Sequence, residues 1–101
     1  MKVYLVWCND DNLLDYEDHT DVDYVEGVFS TREKAKAFID SWAPPLIEGQ
    51  IVIENPSEIK KKCGYDVSDV THAERIVYAH HERTWQRALY MLTIDEREVD
   101  K

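Results

Sequence analysis

Between Gly27 and Trp42 the chain reads GVFSTREKAKAFIDSW, and this stretch predicts a strand end followed directly by an amphipathic helix. Ser30 and Glu33 have the spacing of a capping box, in which each side chain satisfies a free backbone N–H group of the other residue. Apolar residues then recur at the spacing of one helical face, at Ala35, Phe38, Ile39 and Trp42. Pro44 ends the helix, because proline disfavours helical geometry in the residue before it.

A helix with one apolar face needs a sheet to pack against, and strands are predicted on both sides of it. The first, Lys2–Cys8, places apolar side chains on both faces, so we expect a central strand covered on both faces. Asp21–Phe29 is predicted to be antiparallel to it, and Trp85–Val99 is expected to lie near it. We therefore predict an α+β fold, a small, mostly antiparallel sheet with one main amphipathic helix, Thr31–Trp42, across one face.

Residues 44–86 are predicted as an insertion within a single domain that spans residues 1–101. Gln50–Glu54 is predicted as a short strand. A short surface helix follows it, since Asn55 suits the cap, Pro56 the first helical position and Gly64 the residue past the end.

The stretch that ends at His81 leaves two alternatives open. Thr71 and Glu74 have capping-box spacing, which favours a helix. Arg75–His81 also alternates as a strand does, so the periodicity does not decide between the two. We favour the helix here.

The chain has 101 residues, 44% of them hydrophobic, and its formal net charge is −9. The acidity is concentrated in residues 9–26, which contain no lysine or arginine. The acids there are Asp10, Asp11, Asp15, Glu17, Asp18, Asp21, Asp23 and Glu26. The remaining acids and bases nearly balance. Direct binding to nucleic acid is disfavoured, because phosphate contacts need clustered lysine and arginine.

The two cysteines, Cys8 and Cys63, are too few for a disulfide framework. No apolar run reaches transmembrane length, and the short apolar start is followed at once by acids, unlike a signal peptide. We therefore expect a cytoplasmic protein with free thiols and no membrane partner.

Three stretches of the chain resemble a group of small bacterial and phage α+β proteins of unknown function. That group carries a first strand, a G-V-F-S-S/T-x-E-x-A turn from strand to helix, and a closing strand that ends in Y-x-I-x-E-x-E-V-D. The matching stretches here are Val3–Val6, Glu26–Ala35 and Tyr90–Asp100, the last with looser spacing. The resemblance covers roughly half the chain, supports the fold and implies no catalytic residue.

The sequence contains acidic residues, histidines and cysteines, but they lack the spacing that metal binding or catalysis requires. Asp15, Glu17, Asp21 and Asp23 supply oxygen ligands suited to Ca²⁺ or Mg²⁺, but the EF-hand spacing and its glycine are absent. His80 and His81 are adjacent, so their side chains diverge, and no C-x-x-C motif accompanies them. Nucleophile-elbow, P-loop and dinucleotide-binding patterns are also absent from the sequence. We predict no enzymatic activity, no metal and no cofactor.

Two sets of residues remain as candidate binding surfaces for a partner protein. The acidic set is Asp15, Glu17, Asp18, Asp21 and Asp23, and the aromatic set is Tyr78, Trp85 and Tyr90. We expect a non-enzymatic protein-interaction module from a bacterium or phage. The alternative is an acidic inhibitor of the anti-defence type, which imitates nucleic acid and occupies a basic site on a nucleic-acid-processing protein. Either function favours a basic protein partner, and a homodimer is a further way to cover the second sheet face.

Overall fold

The computed structural model describes residues 1–12, 20–45, 48–64, 66–68, 70, 72–81, 83 and 87–99, and for residues 11, 12 and 20–22 it describes the backbone alone. In chain order the elements are β1 (Lys2–Asn12), β2 (Thr20–Phe29), α1 (Arg32–Ser41), β3 (Gln50–Ile53), α2 (Pro56–Cys63), β4 (Arg75–His81) and β5 (Arg87–Glu98). The strands form one sheet in the order β2-β1-β5-β4-β3, and every neighbouring pair is antiparallel. This arrangement confirms the predicted α+β fold.

The helix α1 packs across one face of the sheet and buries an apolar cluster there. Its buried members are Val6, Cys8, Ala35, Ile39, Trp42, Val77, Ala79, Tyr90 and Leu92. Within the cluster the rings of Trp42 and Tyr90 lie 5.4 Å apart, centroid to centroid. The stripe predicted for α1 therefore faces a core, as expected.

The helix α2 contributes to a second apolar cluster, on the opposite face of the sheet. Its buried members are Ile53, Ile59, Val67, Tyr78 and Leu89, so it covers the part of the sheet made by β3, β4 and the start of β5. The ends of α2 follow the predicted signals. Asn55 Oδ1 accepts the backbone N–H groups of Ser57 and Glu58, and Gly64 closes the helix with φ +78°, a conformation that glycine adopts without strain.

Of the two alternatives for this stretch, the favoured helix through His81 is wrong and the strand is confirmed, because Arg75–His81 forms β4. This strand lies between β3 and β5, with which its backbone pairs on both sides. Val77 and Ala79 are buried in one apolar cluster, whereas Tyr78 is buried in the other. Burial therefore alternates between the two sheet faces along this segment, with the two-residue period of a strand. The local capping-box spacing gives no indication of that period. Residues 44–86, predicted as an insertion, thus supply two strands of the sheet.

Two predicted boundaries on β1 and α1 also need correction. The strand β1 continues to Asn12 instead of ending at Cys8, since the backbone of residues 9–12 pairs with both β2 and β5. The cap of α1 is Thr31 instead of Ser30, because Thr31 Oγ1 accepts the N–H group of Lys34 at 3.2 Å. The residue three positions after this cap is a lysine, so the predicted capping box does not form.

Arg75 ties the C-terminal end of α1 to the sheet. Its Nη1 donates to the backbone carbonyls of Ile39 at 2.7 Å and of Trp42 at 2.5 Å, and its Nε donates to Glu54 Oε1 at 2.7 Å. The last turn of α1 contains no basic residue of its own, so a side chain from β4 supplies the positive charge and donors at this helix end, where the Ile39 carbonyl also accepts the Trp42 N–H group at 3.2 Å. The hydrogen bond from Arg75 holds the pKa of Glu54 below its ordinary value of 4.5.

We expect Thr31→Ala to lower the free energy of unfolding by about 1 kcal/mol, because the helix loses its cap. Ser30→Ala is the matched control and should change it by less than about 0.5 kcal/mol, since Ser30 is exposed. Urea denaturation of both variants measures the difference. A larger loss for Ser30→Ala than for Thr31→Ala would contradict the observed cap.

We expect Arg75→Met to cost about 1–3 kcal/mol of unfolding free energy, because the carbonyls of Ile39 and Trp42 lose their hydrogen bonds from the guanidinium. Glu54→Gln is the matched control and should cost less, since it leaves those two bonds in place. A lowered Glu54 pKa stabilises the fold above pH 4.5, and this contribution is lost as the pH falls below that value. Both variants should therefore lose less stability than the wild type between neutral pH and about pH 3 in urea denaturation. Equal costs at neutral pH would mean that the carbonyl bonds contribute nothing.

Candidate functional site

Part of the sheet face that bears α2 lies beyond that helix, over β2, β1 and the second half of β5. Residues paired directly across an antiparallel ladder share a face. Trp7 pairs with Val25 on one side and Thr93 on the other, and Leu5 pairs with Val28 in the next row. We call this surface the open face and define it by Val3, Leu5, Trp7, Val25, Val28 and Thr93. None of these six residues belongs to either buried cluster, so within the described chain neither α1 nor α2 buries them.

The open face exposes apolar side chains next to one another. Val25 is 43% and Val28 is 59% exposed, whereas Val3, Leu5 and Trp7 are half-buried. Within the described chain this half of β1 is fully covered on one face alone, and cover of its second face by another molecule stays a prediction. Single exposed apolar residues are ordinary, but adjacent ones on a sheet make this surface a candidate site of interaction.

A groove runs along the open face beside Trp7, with a volume of about 240 Å³. It is lined by Trp7, Asn9, Asp23, His72, Met91 and Thr93. The side-chain amide of Asn9 donates to Asp23 Oδ1 at 2.9 Å, which orients the carboxylate at one end of the groove. The indole N–H of Trp7 is buried and finds no acceptor among the residues that the structure describes. Native structures contain few such donors, so Trp7 is an unusual residue in this sheet.

The charge on and beside the open face is predominantly negative. Asp23 is exposed and pairs with no lysine or arginine within the described part of the chain. Arg97, which pairs with Val3 near the end of β5, already donates to Asp95 at 2.7 Å. The open face therefore presents apolar side chains and a carboxylate together.

Cys8 lies on the other side of the same sheet, buried in the α1 cluster. Burial raises the pKa of its thiol to about 11, and the carboxylates of Glu26, Asp10 and Asp23 act in the same direction. The thiolate, which is the nucleophilic form, is therefore scarce at neutral pH. Within the described ranges, no group of three or more histidine, cysteine or acidic side chains is placed to hold a metal ion.

The candidate binding residues fall into three groups in the structure. Asp15, Glu17, Asp18 and Trp85 lie outside the described residues. Asp21 is described by its backbone, which pairs with Asp11, and Asp23 lies at the groove. Tyr78 and Tyr90 are 1% and 6% exposed on opposite faces, so both are core residues instead of surface aromatics.

The open face itself was not predicted. One signal was available, because β1 is apolar on both faces while α1 covers only one of them. Which half of the second face lies under α2 depends on long-range pairing, which the sequence pattern does not contain.

Comparison with known proteins adds no relative from which a function can be transferred. No protein-family model, no curated protein and no solved structure matches this chain. The resemblance to small bacterial and phage proteins therefore stays a prediction. Among the helices that the structure describes, none is long and apolar enough to cross a membrane.

We expect iodoacetamide at about pH 8 to modify Cys63 in the folded protein and to leave Cys8 unmodified, because burial suppresses the Cys8 thiolate. Mass spectrometry of the intact chain should show one adduct without denaturant and two adducts in urea. The control is Cys63→Ser, which should show no adduct until it unfolds. Rapid modification of folded Cys63→Ser would contradict the burial of Cys8.

Proposed function

We propose that this chain is a non-enzymatic protein-interaction module and that the open face is its binding surface. The observation that carries the proposal is the row of Val28, Val25, Leu5 and Trp7, which is apolar, contiguous and partly exposed. Covering such a surface removes apolar area from water, which is the main driving force of protein association. The bacterial or phage setting belongs to the proposal as well and rests on the resemblance alone.

The acids beside this surface bear on the kind of partner. Asp23 lies at the end of the apolar row, and beyond it the described backbone of β1 and β2 continues through Asp11 and Asp21, which pair with each other. Complementary charge mainly raises the rate of association and is screened by salt. The partner is therefore a protein with basic side chains around an apolar patch, and its binding weakens as salt is added.

A second function is favoured by the acidic stretch itself. Eight carboxylates without a basic neighbour in sequence resemble the charge density of a nucleic-acid backbone. On this alternative the chain is an acidic inhibitor that occupies the basic site of a nucleic-acid-processing protein. The two functions differ in the residues they need, since the inhibitor depends on the acids and the module depends on the valines.

We expect the double variant Val25→Lys, Val28→Lys to lose the partners that the wild type retains in a quantitative pull-down from bacterial lysate. Both side chains are exposed, so the fold should persist, and circular dichroism checks it. The matched control is Val52→Lys on β3, an exposed strand valine away from the open face that should retain the partners. Equal recovery by all three proteins would remove the open face from the function.

The acidic alternative is tested in the same pull-down by converting Asp15, Glu17, Asp18, Asp21 and Asp23 together to Asn or Gln. The inhibitor requires that this variant lose its partners, and that the partners be nucleic-acid-binding proteins. Undiminished recovery of the same partners would end the nucleic-acid-mimic hypothesis.

A further inference from the structure

The dimensions of the open face match those of one α-helix. Neighbouring strands lie about 4.8 Å apart, so β2 and β5 are separated by about 10 Å across β1. A helix with its side chains is about 10–12 Å wide. From Val3 to Asn9 the face extends about 20 Å along β1, which corresponds to three to four helical turns.

The rest of the sheet is covered in the same way. One helix, α1, covers the opposite face, and one helix, α2, covers the neighbouring part of this face. Both are short amphipathic helices that insert one or two fully buried side chains, Ala35 and Ile39 from α1 and Ile59 from α2. A third helix of this kind on the open face would complete the layer beside α2.

The charges disfavour a second copy of this chain as the occupant. Each copy carries a net charge of −9, so two copies repel each other at moderate salt. Arg97, near the end of β5, is already paired with Asp95 and offers little to the Asp23 of another copy. A cationic partner instead gains from Asp23, which has no basic partner among the described residues.

The residues that line the groove beside Trp7 favour one basic side chain of a partner over the other. Asp23 provides a carboxylate at the groove, while Trp7 and Met91 line it with an aromatic ring and a polarisable thioether. Arginine combines a planar guanidinium that stacks on aromatic rings with paired N–H donors for a carboxylate. Lysine is a compact, strongly hydrated charge and uses this combination less well.

From these observations we propose that the open face binds an amphipathic helix of a partner protein, which inserts an arginine into the groove between Trp7 and Asp23. The proposal rests on the proposed function, because it names the occupant of the same surface. Apolar residues of the helix cover Leu5, Val25 and Val28, and the arginine at the edge of its apolar stripe reaches the carboxylate.

The test is a phage-display library of helical peptides of about 18 residues, with leucines fixed along one face and the flanking positions varied among Arg, Lys, Glu, Gln and Ser. Peptides are selected on the wild-type chain and counter-selected on the variant Val25→Lys, Val28→Lys. We expect arginine to be enriched over glutamate by about tenfold or more at one flank. Titration with a selected peptide should also shift the indole N–H resonance of Trp7, which Trp7→Phe assigns.

The role of Asp23 is measured with one selected peptide by fluorescence anisotropy. Asp23→Asn should weaken binding by about tenfold, whereas Asp40→Asn, an exposed carboxylate on α1, should leave it unchanged. Replacing the arginine by citrulline, its neutral isostere, should weaken binding to the wild type but add little to the loss in Asp23→Asn.

Three results would overturn the inference. If the selected peptides need the two valines but show no excess of arginine, the arginine contact is disproved. The proposed function of the open face would still stand. Failure to select any peptide that depends on the valines would remove the helix as occupant, and the lysate pull-down then decides separately whether the function itself stands. A wild-type dimer in sedimentation that the variant Val25→Lys, Val28→Lys dissociates would make a second copy the occupant.

Discussion

A sheet whose strands are apolar on both sides must be covered on both sides, and this constraint shapes the whole molecule. The strand β5 shows it most clearly, because Leu92 and Tyr90 lie in one buried cluster while Leu89 lies in the other. Two helices are available among the described residues, and they lie on opposite faces. The face under α1 is covered across several strands, whereas the face under α2 is covered at one end. The remaining surface is the open face.

The position of α1 depends on a residue from a distant part of the chain. Arg75 lies on β4, yet it donates to the last carbonyls of α1 and to Glu54 just after β3. One guanidinium therefore joins a helix end, a strand and the residue that follows another strand. These contacts hold the end of α1 against the face on which its apolar stripe packs with Cys8 and Tyr90.

Sequence reasoning succeeded where the signals are local and failed where pairing is distant. Asn55, Pro56 and Gly64 lie within ten residues of one another, and they predicted α2 almost to the residue. For Arg75–His81 the strand alternation was visible, but a helix was favoured, because the pairing with β3 and β5 that decides between the two is long-range. Asp23 was named as a candidate for its charge. Trp7 was not named as a candidate. Its partial exposure depends on how far the α2 cluster extends over the sheet, and no short sequence motif indicates that.

The strand β2 forms one outer edge of the sheet, and its acidic residues affect the tendency of the protein to aggregate in concentrated solution. An unpaired edge strand is a template for pairing with the same strand of another molecule, which is how many sheets begin to aggregate. Asp23 and Glu26 place two negative charges along the part of this edge whose side chains the structure describes. Two such edges brought side by side would align like charges at close range. The negative charge of β2 therefore disfavours edge-to-edge pairing between two molecules. It allows the apolar open face beside it to stay exposed.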